Sequence, residues 1–140
     1  MRLHIVARGR IGQGPEAKLV ARYAKRIVWP LTVTELPETG GRVAPLPSRS
    51  RTAALDEGGR ALTSVAFAEL LGRWRDDGVQ EARFLIGAAN GLTPEERAGA
   101  ELVLSFGLAT WPHLLVRAML LEQLYRATTI LAGHPYHREG

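Results

Sequence analysis

Leu85-Ile86-Gly87-Ala88-Ala89-Asn90-Gly91-Leu92 joins a short apolar run to a cluster of small residues. Arg83–Ile86 reads as a strand, and Gly87–Gly91 as a loop leaving its end. In open α/β sheets ligands bind at the carboxyl ends of the strands, and small residues there let a ligand approach the backbone closely. The run is not G-x-G-x-x-G and carries no Walker lysine, so neither a dinucleotide nor a nucleoside triphosphate is implied. Alone, such a loop is more often a tight turn than a site.

Working outward, strands and helices alternate. Leu3–Ala7 reads as an opening strand, and the glycines at 9, 12 and 14 as a loop. From Pro15 to about Val28, Leu19, Val20, Tyr23, Ala24 and Ile27 recur at helical spacing. Lys18, Arg22, Lys25 and Arg26 crowd the other side of that helix. Leu31–Leu36 alternates like a second strand, and the Pro-, Gly-, Ser- and Arg-rich stretch 37–51 reads as a mobile basic loop. Thr52–Leu55 is a third strand ending at Asp56, and Ser64 is expected to cap the next helix, with Phe67, Leu70, Leu71 and Trp74 as its apolar stripe. Thr93 starts another helix through a capping box with Glu96, continued by 100–104 toward a short strand at Leu108–Trp111. A last helix spans about Leu114–Leu131, before the tail GHPYHREG. This alternation predicts an α/β fold with a largely parallel sheet, residues 1–140 forming a single domain without internal repeats.

Composition narrows the class. The chain has 140 residues, no cysteine and a formal charge of +4. Disulfides, thiolate metal sites and cysteine nucleophiles are thereby excluded. No apolar run approaches the length of a membrane span, and MRLHIVARGRIG is interrupted too early by Arg8 and Arg10 to be a secretory signal. A cytoplasmic protein without membrane partner is expected. Residues 1–60 hold 11 Lys and Arg against 5 acidic residues, whereas 61–140 hold 7 against 9. A basic first half favours a polyanion partner, although a solvated basic surface would look the same.

Three further segments carry potential chemistry. Thr110-Trp111-Pro112-His113 precedes the long helix and reads either as a capping turn or as a site. Glu122 and Arg126 stand i, i+4 in the orientation that favours an ion pair. The tail His134-Pro135-Tyr136-His137-Arg138-Glu139 is unusually rich in rings and charge for a chain end. Histidines 113, 134 and 137 invite a zinc site, but Pro-Tyr breaks helical spacing between the last two and no carboxylates cluster nearby, so no metal is expected. A tail that docks into a site, on this chain or on a partner subunit, fits better.

Each segment is weak alone, but LIGAANGL, TWPHLLVR, EQLYRATTIL and GHPYHRE, in this order and spacing, resemble the RlmH family. That family comprises SPOUT-class methyltransferases of pseudouridine N3 in large-subunit ribosomal RNA. The resemblance is dense over 83–139 and recognisable in the first strand and basic helix. It implies a SPOUT-type α/β fold with a C-terminal trefoil knot, a homodimer, and S-adenosylmethionine as cofactor, with ribosomal RNA or the ribosome as partner. Carried over residue by residue, the cofactor is expected against Leu55, Gly87, Phe106, Gly107, Leu108, Ala109, Thr110 and Trp111. The catalytic candidates are His113, Tyr136, His137 and Arg138. Two departures stand out: Ala88 where the family commonly has glycine, and a shortened stretch before Leu55. They leave open a non-enzymatic ribosome-binding factor that kept the fold, and beside it stands a second alternative, a SPOUT methyltransferase acting on transfer RNA.

Overall fold

The computed structural model describes residues 1–138. Nine elements follow one another: β1 (Arg2–Arg8), α1 (Pro15–Arg26), β2 (Leu31–Leu36), β3 (Ser50–Ala61), α2 (Ser64–Asp76), β4 (Glu81–Ile86), α3 (Pro94–Ala98), β5 (Leu102–Ser105) and α4 (His113–Leu131). The five strands form one sheet in the order β2-β1-β4-β3-β5, and every neighbouring pair is parallel. All strands therefore point their carboxyl ends to the same side. Glu139 of the tail lies outside the described residues.

Strand periodicity puts alternate side chains on opposite faces. Leu3, Ile5, Ala53, Leu55, Phe84, Ile86 and Leu104 build the main core together with Phe67, Leu71 and Trp74 of α2 and Leu120, Leu121 and Leu124 of α4. Phe67 meets Phe84 edge-on at 6.1 Å. Helix α4 packs against both α1 and α2, which explains why it is apolar on most sides. The other face carries a buried polar network. Glu81 accepts from Arg83 Nη2 at 2.7 Å and Nε at 2.9 Å, and lies 3.4 Å from His4 Nδ1. Arg83 Nη1 also donates to the Ala44 carbonyl at 2.7 Å, tying the 37–49 stretch to the sheet. The buried charges are thus paired, as burial requires.

Several boundaries differ from expectation. β3 does not stop at Asp56: Gly58 and Gly59 carry it through a register shift between Leu55 and Arg60, after which it pairs with β5 again. A Cβ on Gly59 would lie 2.5 Å from the Val103 carbonyl oxygen, so only glycine fits there. Thr63, not Ser64, caps α2, accepting from the Ala66 amide at 3.0 Å. Helix α1 ends at Arg26, with Ile27 as its C-cap and Val28 exposed. The capping box of Thr93 and Glu96 forms, but Gly99 ends α3 after five residues. The following Leu102–Ser105 is a strand because Leu102 and Leu104 face the core, and Leu108–Trp111 is loop.

Candidate functional site

A cavity of about 630 Å³ opens at the carboxyl ends of β3, β4 and β5. Three segments wall it: Leu55–Glu57 from β3, Ile86–Gly91 beyond β4, and the 104–113 segment that links β5 to α4, with Val116 one turn further. Each wall has a local reason for its shape. Gly91, at φ 85°, donates its amide to the Ala88 carbonyl at 2.8 Å and closes a tight turn. That turn presses on Gly87, where a Cβ would stand 2.4 Å from the Gly91 carbonyl carbon. Ala88 tucks its methyl inside and remains buried.

The 106–112 loop is fastened from within and from outside. The buried Ser105 hydroxyl donates to the Gly107 carbonyl at 2.6 Å and accepts the Gly107 amide at 3.1 Å. Gly107 has φ 112°, a conformation open to glycine. Trp111 Nε1 donates to the Phe106 carbonyl at 3.3 Å, and the Thr110 hydroxyl donates to the Glu57 carboxylate. Arg97 of α3 pairs with Asp56, so α3 is held against the same strand end.

Behind His113, one helical turn along α4, Arg117 is 1% exposed. Its guanidinium meets Glu35 at 2.5 Å and donates to the carbonyls of Gly9 at 2.9 Å and Arg8 at 3.4 Å. Burial works to raise the Glu35 pKa, but the Ile11 amide and the Arg117 guanidinium hold it below its ordinary value. This clamp binds the end of β1 to α4. A Cβ on Gly9 would come within 3.5 Å of His113 Nε2, so the clamped loop abuts the imidazole at the cavity.

Of the expected cofactor residues, Leu55, Gly87, Phe106, Gly107, Ala109, Thr110 and Trp111 lie on the cavity wall, as does His113. Leu108 points away and is 99% exposed. The tail is elsewhere. The Tyr136 ring lies tilted against Tyr125, 4.7 Å between centroids, and its hydroxyl donates to Glu122 Oε1 at 3.3 Å. Arg126 bonds the same carboxylate through Nε at 2.8 Å, lies over the Tyr136 ring and approaches His137 Nδ1 at 2.9 Å. Because Arg126 can only donate, Nδ1 of His137 is the acceptor there. Burial, and then the Glu122 charge, push the Tyr136 phenol up to about 12. Arg138 is exposed. Sequence reasoning anticipated the Glu122–Arg126 pair but missed that the tail seats on it, and missed Asp56, Glu57 and the Arg117 clamp. The acidic pair directly after Leu55 was the available signal. Among the described residues no group of three His, Cys, Asp or Glu side chains could hold a metal ion.

A second cavity of about 500 Å³ lies between α1, α4 and the end of β3, sharing Leu104, Phe106 and Gly107 with the first. Tyr23 and Glu122 line it.

A parallel sheet with a small-residue cavity at its carboxyl ends, closed by a C-terminal helix, is the architecture of a SPOUT-type methyltransferase. Residues 1–137 match the family described as "Predicted SPOUT methyltransferase". The chain is 65% identical to the ribosomal RNA large subunit methyltransferase H of Sphingopyxis alaskensis, over all of this chain and 99% of that protein. It is 48% identical to the protein of the same name from Bradyrhizobium diazoefficiens, over 99% of each chain. The chain belongs to the RlmH family of SPOUT methyltransferases. The Bradyrhizobium alignment spans 159 positions and the Sphingopyxis one 140, so the shorter length is shared with the latter. Among solved structures, a probable methylase family protein from Haemophilus influenzae superposes with a TM-score of 0.61 at 13% identity, covering 99% of this chain and 70% of that one. That likeness concerns the fold.

Proposed function

We propose that this methyltransferase uses S-adenosylmethionine to methylate N3 of a pseudouridine in large-subunit ribosomal RNA, working in the cytoplasm as a homodimer. The observation that carries the reading is the cavity at the strand ends, lined by the Gly87 turn and the 106–111 backbone. Its size suits a nucleoside with an amino-acid tail. The names of the relatives point to large-subunit ribosomal RNA, and the pseudouridine N3 follows from the family resemblance.

Bound S-adenosylmethionine supplies a methyl group already activated on a sulfonium. The chain must therefore orient the donor, exclude water and manage one proton, since the imide N3–H has to leave as the new N–C bond forms. The glycine turn and the fastened 106–112 loop provide rigid backbone donors and acceptors for orientation. His113, held beside the Gly9 loop, is the imidazole placed to take or share the proton. Tyr136, with its phenol held near 12, stays protonated at neutral pH and acts as a hydrogen-bond donor rather than a base. His137 and Arg138 lie on the same tail, away from this chain's own cavity, and serve the cavity of a partner subunit. Helix α1 supports that arrangement: none of its residues is fully buried, and Leu19 and Tyr23 face the second cavity.

Calorimetric titration with S-adenosylmethionine, followed by methylation of ribosomes from a strain lacking the modification, tests the reading. Micromolar binding and a methyl group mapped to pseudouridine N3 are expected. A folded protein without cofactor binding refutes the enzyme, and a methyl group found on transfer RNA refutes the substrate.

A further inference from the structure

The cavity wall carries two carboxylates, Asp56 and Glu57, and among the described residues no Lys or Arg lines it. The two acids are not equivalent. Asp56 pairs with the Arg97 guanidinium, which offsets its charge locally. Glu57 accepts from the neutral Thr110 hydroxyl, and among the described residues no cation pairs with it. That hydrogen bond holds the Glu57 carboxylate at the wall, facing the cavity, without neutralising it.

We infer that Glu57 makes the site prefer a cationic occupant over a neutral one of the same shape, and so the methyl donor over its demethylated product. The inference rests on the reading of the cavity as the donor site. S-adenosylmethionine carries one net positive charge. When its methyl group leaves, the bonding pair stays on sulfur and the product is a neutral thioether of almost unchanged shape. A pocket that recognises by backbone contact and shape alone binds the two alike and invites product inhibition. A fixed, unpaired carboxylate separates them by Coulomb attraction. A space of this volume is only about 10 Å across, so a charge anywhere inside interacts with Glu57. Because Glu57 is exposed, screening limits the effect to roughly three- to tenfold in affinity.

The test uses the full-length protein and three probes: S-adenosylmethionine, S-adenosylhomocysteine, and sinefungin, whose amine restores a positive charge in place of the sulfonium. Calorimetry on the wild type should show both cations binding about three- to tenfold more tightly than the thioether. Glu57→Gln keeps an acceptor for Thr110 but removes the charge. It should weaken both cations, leave the thioether unchanged and so erase the preference. An unchanged preference, or an equal loss for all three probes, overturns the inference. With the wild type alone, the preference should shrink from about 50 to about 500 mM salt, and a salt-independent preference overturns it equally. A wild type that binds none of the three refutes the donor-site reading itself, and the inference with it.

Discussion

Gly87 shows how little room single atoms have at this site. Its missing side chain is required because the following turn folds back onto it, with the Gly91 carbonyl carbon 2.4 Å from where a Cβ would be. Gly87→Ala should therefore open that turn, at a cost of about 1–3 kcal/mol. Cofactor affinity should fall at least tenfold while far-ultraviolet circular dichroism stays the same, and an equal affinity would show the turn to be irrelevant. Glu35 offers a second residue-scale expectation. Its pKa is lowered in the folded protein, so the stability it contributes is present above its ordinary value of 4.5 and is lost as pH falls through the folded value. Urea midpoints of wild type and Glu35→Gln should differ at pH 7 and converge as pH falls below 4.5. A difference that persists in acid would mean that shape rather than charge matters there.

At the scale of elements, the sequence was legible wherever one local rule governed. β2 follows from strict alternation and runs Leu31–Leu36 as read, and the Thr93–Glu96 capping box is present. Reading failed where a tertiary partner decided the matter. The acidic-glycine run 56–59 looks like the end of a strand, yet β5 lies alongside and gives it a further ladder. Leu102 and Leu104 suit a helix or a strand equally, and their burial against the sheet selects the strand. Thr63 and Ser64 are equally good caps by composition, and geometry selects Thr63 because Ser64 turns to Gln123 on α4 at 2.8 Å. Thr63→Ala should cost about 1 kcal/mol in thermal or urea unfolding. Ser64→Ala should cost about half as much, since it removes a part-exposed side-chain pair rather than a cap. The reverse order would place the cap at Ser64 after all. Of the site, the glycine turn and the 106–111 loop could be named from the motifs. The Arg117 clamp could not, because its partners are 82 and 108 positions away and nothing local announces them.

For the whole molecule, the separation between cavity and tail is the decisive fact. Within one chain the tail packs on Glu122, Tyr125 and Arg126, while His113 and the glycine turn sit at the other cavity. One chain therefore does not gather its own candidate groups, and a second copy is the economical way to do so. Light scattering should report a dimer. Removing residues 134–140 should leave the melting temperature within about 2–4 °C, since loss of exposed or part-exposed contacts costs little. Methyl transfer should nevertheless be lost. Unchanged activity in the truncated protein would remove the tail from the mechanism.

Arg117 also bears on how the molecule comes into being. It sits on the last helix, yet its guanidinium holds the carbonyl of Gly9, the loop that follows the first strand. β1 precedes α4 by about a hundred residues, and its exit loop already bonds to the β2 end through the Gly9 and Ile11 amides, but the Arg117 contact waits until α4 has left the ribosome. Folding must therefore close one of the longest loops available before the cavity exists, which favours slow, late assembly over stepwise maturation from the N-terminus. Nascent fragments lacking α4 should bind no cofactor.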